Sequence, residues 1–543
     1  GIYATDSDVT IEDSTISGNS VGYGGGGVHV VDHSTLTVKN STITDNSAND
    51  GGGIFGGDSS SLTIQDNTTI SDNTATSRGG GVHAEDQCTV SVVNSTVTNN
   101  TVEGYDGGGI AVIRSSTLTL NGSTLSGNSA TYYGGGIYAN ESSVTVEGTT
   151  ISGNTAQNSA GGGIFSNNQA SITVRNSAIT GNTSGYNGGA LFAGLGSSVT
   201  IENATISGNS AADGGGIFGE DNQTSITLAN STLSNNSASS HGGGIHSKTG
   251  SSFVVKNSIV AAQATGTDCY INGGSISSSG YNLESGDSCG FTSAGDLQNT
   301  DPKLNPLSNG VMTPKSDSPA IDGGNPADPG SSGDACLAND QRGNARDDLR
   351  CDMGAVEVQL SDTDTVIKDV SGAGTFTFGP TLVKIEVTNQ GGLSQLQVQH
   401  HDGDHPDATR MNGQWWGITP TGSGFTANLD LPHMVTPDAN AKVCKHVSGS
   451  TWDCARDGST ADRVWRNGLT EFSDWAVGDN VGPTAVTLRD FAAGGGPDGL
   501  GAVLWGGMLA VLAGVGAWLG LRREYDNETE TSPAPAPRFG TET

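Results

Sequence analysis

The chain is 543 residues long, enough for several domains, and carries 56 acidic against 23 basic side chains, a formal net charge of −33. That balance excludes nucleic acid as a partner, since phosphate binding needs a basic footprint, and suits a solvated extracellular surface or one that holds cations. With 84 glycines and 5% aromatics the composition would fit a disordered polymer, but disorder imposes no strict period and this sequence keeps one.

The period is running at the first residue. Gly1-Ile2-Tyr3 stand in the middle of the repeat phrase, with no initiating Met, so the natural N-terminus is expected upstream. The apolar residue after each glycine run falls at Ile2, Val28, Ile54, Val82, Ile110, Ile137, Ile164, Leu191, Ile217 and Ile245, in steps of 26 to 28 residues. Ten such units mark a solenoid. Within each unit three apolar patches recur: one after the glycines (Ile137), one alternating with period two (Val144-Thr145-Val146), and one at the centre of "TIS" or "TLS" (Ile151, Leu125). Such short alternation predicts strands, and no helical period is present. Three strands and three turns per unit predict one coil of a parallel β-helix over residues 1–265, with glycine supplying the tight corners. One coil buries too few apolar side chains to offset the entropy of ordering it. The coils must therefore stack, at about 4.8 Å, which puts like residue over like.

Columns follow from that register. Asn19, Asn46, Asn73, Asn100, Asn128, Asn154, Asn182, Asn209 and Asn236 are a predicted internal amide ladder. A less regular column holds Asn40, Asn67, Asn94, Asn176, Asn203 and Asn230. Several of these make N-x-S/T sequons, read as a by-product of turn chemistry, with glycosylation the alternative. Asp50, Arg78 and Asp106 stand ahead of three successive glycine runs and are predicted to form a salt-bridge ladder; the alternative is an acid/base set of the kind polysaccharide-cleaving enzymes use. Four residues past the reference positions come Asp6, Asp32, Asp58 and Asp86, with Glu141 and Asp221 further on. Stacked carboxylates repel unless they splay into water, the first reading, which needs no cofactor, or share Ca²⁺, the alternative. Directly after the reference residues lie Tyr3, His29, Phe55, His83, Ala111, Tyr138, Phe165, Phe192, Phe218 and His246. Alternation turns these outward, which makes Tyr3, Phe55, Tyr138, Phe165, Phe192 and Phe218 candidate binding rings for sugars or a protein partner. Self-stacking, or cover by a neighbouring loop, is the competing reading.

The glycine-glycine-Ile/Leu phrase followed by "SGN(S/T)A" resembles the right-handed parallel β-helix repeats of bacterial surface proteins, including the polymorphic outer membrane protein type, over residues 1 to about 265. The resemblance implies architecture more than activity, because pectin-lyase-like helices include enzymes, adhesins and inert stalks.

From about residue 266 the period fails. "GYNLESGDSCG" (280–290), "DPKLNPL" (301–307), "SPAIDGG" (318–324), "DQRGNARDD" (340–348) and "CDMGAVE" (351–357) resemble, in that order, the choice-of-anchor Q domain, which implies a module over 266–360 capping the last coil. Over 361–480, alternating runs such as Val383-Lys384-Ile385-Glu386-Val387, with five tryptophans, predict a β-sandwich; "WWGITPTGSGFTANLDLPH" and "EFSDWAVGD" resemble the choice-of-anchor U domain. There "HHDGDH" offers His400, His401, Asp402, Asp404 and His405, read as an exposed hairpin turn with a Zn²⁺ or Ca²⁺ site the alternative. The cysteines form three local couples, Cys269 with Cys289, Cys336 with Cys351 and Cys444 with Cys454, predicted as disulfides of an exported protein. Cys88 is left as a buried free thiol.

After a linker at 481–499, Leu500 to Leu521 is an uncharged run of 22 residues, predicted to cross a membrane. Arg522 and Arg523 place the acidic, Pro-rich tail (522–543) in the cytoplasm and the β-helix outside. The glycine run at 494–496 resembles tails cut by sorting proteases, a pattern from which the tail departs. The expectation is an all-β, membrane-anchored cell-surface protein, a structural stalk or adhesin meeting glycans or other surface proteins. The rival is a polysaccharide lyase or hydrolase of the pectin-lyase-like class.

Overall fold

A computed structural model describes residues 1–327, 329–346, 351–358, 365–378, 383–402, 414–433, 440–448, 451–460, 463–479 and 482–483. The chain divides into two units, Gly1–Thr487 and Leu488–Thr543, and the second, with Leu500 to Leu521, lies outside the described residues. Among the described residues there is no α-helix, and so no helix long and apolar enough to cross a membrane.

The repeats wind into a parallel β-helix. Three sheets of eleven strands each run the length of the solenoid, and the reference residues pair in register from Ile2 with Val28 to Ile217 with Ile245. One coil shows the pattern: Ile137–Asn140, Ser143–Glu147 and Thr150–Ser152 supply the three predicted strands. A fourth, Thr155–Ala156, belongs to an eight-stranded sheet that alternation did not reveal, because its strands are short and carry one small inward residue. The glycine run closes the circuit. Gly134 has φ 65°, and a Cβ on Gly135 would lie 2.5 Å from the Thr155 backbone.

The polar columns stack as the period requires. Asn128 Nδ2 donates to Asn154 Oδ1 at 2.9 Å, and Asn154 Nδ2 donates to Asn182 Oδ1 at 2.9 Å. The column ends where Gln263 Oε1 accepts from the Asn236 backbone N–H. At the next corner back, Asn40, Asn67 and Asn94 take left-handed φ values of 43°, 64° and 47°, which Asn tolerates. The residue after each is a buried hydroxyl: Ser41 Oγ, for example, accepts the Ser14 N–H at 3.1 Å. Corner Asn, buried Ser or Thr and strand Thr together spell the sequons.

The solenoid runs past residue 265. Ile245 pairs with Cys269, and the third sheet ends at Leu283–Glu284. The step shortens, but Cys269 takes the inward seat, tied by disulfide to Cys289. Cys289 and Phe291 then enter the core, while buried Glu284 accepts the N–H groups of both at 2.7 and 3.0 Å. These residues close the last coil. The first part of the segment expected as the cap, 266–360, thus lies on the last coil, where Leu297 also pairs with Leu283, while its later part runs along the flank of the third sheet. There Thr205 Oγ1 donates to Gln341 Oε1 at 2.6 Å, Thr232 Oγ1 accepts the Ala355 N–H at 3.0 Å, and Asn230 Oδ1 accepts the Leu337 N–H at 3.0 Å.

That flank module is held by buried charge. Arg346 Nη1 reaches Glu357 Oε2 at 2.9 Å, both side chains fully buried, and Asp340 accepts from Arg342 at 2.7 Å. Burial, then the charge of Glu357, push the Asp352 carboxyl well above the usual range. Asp340, Arg342, Arg346, Asp352 and Glu357 of these motifs thus hold the module together. Further on, two antiparallel sheets enclose one core around Trp416, Trp475, Phe378, Leu429 and Val443, the predicted sandwich. Cys336–Cys351 and Cys444–Cys454 are the other two disulfides. Cys88 is free and buried, its thiol pushed up to about 12 by burial.

Candidate functional surface

The outward aromatic column is a ladder of stacked rings. Tyr3, His29, Phe55 and His83 follow at centroid separations of 5.1, 4.7 and 5.3 Å; Tyr138, Phe165, Phe192 and Phe218 follow at 5.5, 4.7 and 5.5 Å. The rings leave the coil interior, as alternation requires, yet Phe165, Phe192 and Phe218 are buried in a satellite cluster with Ala160, while Phe55 and Tyr138 are half-buried. Stacking covers ring faces and the corner loops cover edges, so only Tyr3, 67% exposed, stands open.

The open rings belong to another column. The loops between the fourth sheet and the glycine runs carry Tyr23, Tyr105, Tyr132, Tyr133 and Tyr186, exposed from 38% at Tyr133 to 87% at Tyr23. Tyr105 and Tyr132 approach to 6.4 Å, and Tyr133 tilts over Phe165 at 4.4 Å. The signal was a tyrosine just ahead of the glycines ("GYGGGG", "GYDGGG", "TYYGGG", "GYNGG"), always five residues before the reference residue, but diluted because the other coils place Asn49, Ser77, Ser159, Ala212 or Ser240 there. Beside them a groove of about 330 Å³ is lined by Tyr133, Tyr138, Phe165, Phe192, Asn187 and Glu220, among others.

The ladder breaks at Ala111, and charge gathers at the break. Arg78 Nε lies 3.8 Å from Asp106 Oδ2, and Asp106 Oδ1 accepts the Tyr133 N–H at 3.3 Å. Asp50 is in register with Arg78 but receives its hydrogen bond from Asn49 at 2.8 Å. Burial pushes the Asp106 carboxyl up to about 6, against the pull of the Tyr133 N–H and Arg78. Burial, then the Asp106 charge, raise the Tyr138 hydroxyl to about 12. Glu85 is held below the usual range by its hydrogen bond to His83, and it also takes Arg114 at 2.7 Å. Such a cluster can hold a proton near neutral pH beside a fixed guanidinium. At the far end His241 Nδ1 is 2.8 Å from Asp213 Oδ1, and the buried His246 ring is turned 68° out of the stack.

The aspartate column serves the turns. Asp6, Asp32, Asp58 and Asp86 take φ values of 45°, 54°, 47° and 54°; the first three are exposed, and Asp86 meets Arg114 at 3.3 Å. Among the described residues no group of three His, Cys, Asp or Glu side chains is placed to hold a metal ion. In the sandwich His400 is buried and His401 stacks on Trp415 at 3.8 Å, while the Asp402 side chain, Asp404 and His405 lie outside the described residues.

A family model described as a right handed beta helix region matches residues 1–125 and 108–284. No curated protein and no solved structure matches the chain.

Proposed function

Since this chain belongs to the right-handed β-helix family, we propose that it is a cell-surface stalk or adhesin, held in the membrane through Leu500 to Leu521, that offers its tyrosine corner to glycans or other surface proteins. The observation carrying this reading is the row Tyr23, Tyr105, Tyr132, Tyr133 and Tyr186, large rings left in water along one edge beside a ladder whose rings are largely covered. The resemblance of 266–360 and 361–480 to the choice-of-anchor Q and U domains of bacterial surface proteins supports the same placement. A glycan array and a cell-adhesion assay test the surface. The full chain is expected to bind, and a Tyr105→Ala/Tyr132→Ala variant to lose binding with its unfolding temperature unchanged; retained binding in that variant overturns the assignment. For the anchor, the full chain should resist alkaline extraction from membranes, and a chain ending at Gly499 should not.

One observation favours a second reading, a polysaccharide lyase or hydrolase: the buried Asp106 carboxyl, near 6, beside Arg78. New reducing or unsaturated ends in a depolymerisation assay, lost in Asp106→Ala, would select it over the adhesin.

A further inference from the structure

Resting on the tyrosine corner as a binding surface, we propose that its ligand is a glycan bearing free amino groups, with sugar rings flat on Tyr105, Tyr132 and Tyr186 and ammonium groups against the carboxylates set among them.

Three observations carry this. First, the platforms repeat along the solenoid axis: Tyr105 and Tyr132 sit on adjacent coils, their rings 6.4 Å apart, and Tyr186 two coils further, where coils rise by about 4.8 Å each. A periodic polymer lying along the axis meets them in turn, each ring offering a π-face to the apolar face of a sugar.

Second, the charge beside these rings is negative and not neutralised. The cations of this flank are already held: Arg78 by Asp106 at 3.8 Å, Arg114 by Glu85 at 2.7 Å and Lys248 by Glu220 at 3.2 Å. Glu103, two residues before Tyr105, is exposed and pairs with no described group, and Asp213, at the same corner one coil beyond Tyr186, has only histidines as ionisable partners. A uronic-acid polymer would place its carboxylates against these with no free cation to receive them. A neutral polymer would desolvate Glu103 without pairing it, and an ammonium would pair it.

Third, the chain holds an ammonium of its own in this way. Lys248 Nζ lies 3.2 Å from Glu220 Oε2 and 5.8 Å over the Phe218 ring. The next member of the column, His246, meets that ring edge-on at 68° and does not stack on it. A carboxylate beside an aromatic face is therefore an ammonium seat on this flank. Glu103, exposed two residues before Tyr105 and bonded through its carbonyl to Thr131 of the next coil, brings a carboxylate to the corner of Tyr105 and Tyr132 with no lysine paired to it.

The test is titration of the full chain, at physiological ionic strength and mildly acidic pH, with a glucosamine hexamer, its fully N-acetylated counterpart and hexagalacturonate. The amine-bearing hexamer should bind at least tenfold more tightly than the acetylated one, and hexagalacturonate should not bind. Tyr132→Ala and Glu103→Gln should each weaken the amine-bearing hexamer severalfold. Glu12→Gln, an equal charge change at an exposed site on the first coil's second strand, should leave it unchanged. Binding of hexagalacturonate, failure of the amine-bearing hexamer to bind, or an equal loss in Glu12→Gln overturns the proposal. If the acetylated hexamer binds equally well and still depends on Tyr132, the amine requirement falls while the binding surface stands. If Tyr132→Ala and Tyr105→Ala change nothing for any ligand or cell, the surface itself falls.

Discussion

The solenoid and the module on its flank bury polar groups in opposite ways. In the solenoid each group is satisfied by its own copy a coil away: Asn128 by Asn154, Asn154 by Asn182, with separations of 26 and 28 residues. In the flank module the partners are unique. Arg346 bonds Glu357, the Gly354 carbonyl and Asn203, the last 143 residues distant, and nothing repeats the arrangement. Repetition makes the first region redundant and its faults local. Uniqueness makes the second all-or-none, since one lost partner strands several buried charges together.

The largest effect should therefore fall on the flank module. Arg346→Ala leaves Glu357 without its buried counter-ion and should cost about 3 to 5 kcal/mol. Limited proteolysis should open residues 303–357 while the β-sheet signal of circular dichroism persists. If the solenoid unfolds in the same step, the two regions are not the separate units this contrast describes.

A rung of the amide ladder should come next. Asn154→Ala removes the acceptor of both the backbone N–H and Nδ2 of Asn128, two buried donors at about 1 to 3 kcal/mol each at most, less what the neighbours recover. Urea unfolding is expected to show a loss of about 3 kcal/mol, with amide-exchange protection falling in the coils around 128–182 and unchanged in the first coils. Protection lost evenly along the helix would mean that the repeats do not isolate their faults.

The same contrast explains what could be read in advance. A column needs only a fixed step, so the amide ladder and the order of the aromatic stack were legible from the spacing of Ile, Val and Leu. The disulfide couples were legible too, from proximity along the chain. The fourth sheet was not, because Thr155–Ala156 is too short to alternate. Nor was the tyrosine corner: its rings keep one place, five residues ahead of the reference residues, but the coils between and around them put Asn49, Ser77, Ser159, Ala212 or Ser240 there, so no column stands out. The seat of the flank module was beyond reach for a different reason: Asn203 and Asn230 look like every other corner Asn, and only their distant partners Asn339 and Leu337 set them apart.

Within the solenoid, the break at Ala111 imitates the flank module by burying a carboxyl with a unique partner, Asp106 beside the half-buried Arg78. The folded Asp106 carboxyl titrates near 6 against 3.8 ordinarily, so the folded chain holds this proton more tightly than the unfolded chain does. Its contribution is fully present below 3.8 and is lost as pH rises through about 6. The midpoint of thermal unfolding in wild type should accordingly fall across that window relative to Asp106→Asn, which keeps an acceptor for the Tyr133 N–H and does not titrate. Parallel pH profiles in the two proteins would show that burial of Asp106 leaves its proton affinity unchanged.

The smallest effect should come from a pair that has the ladder's register but not its burial. Arg114 crosses one coil to Glu85 at 2.7 Å and Asp86 at 3.3 Å, with more than half of its own side chain in water. Solvent screens such a pair and ordering the arginine offsets much of the attraction, so Arg114→Ala should cost less than about 1 kcal/mol and the difference should shrink in high salt. A cost near that of Asn154→Ala would mean that stacking in register, rather than exclusion of water, sets the strength of a rung. The difference between the two regions would then lie in repetition alone.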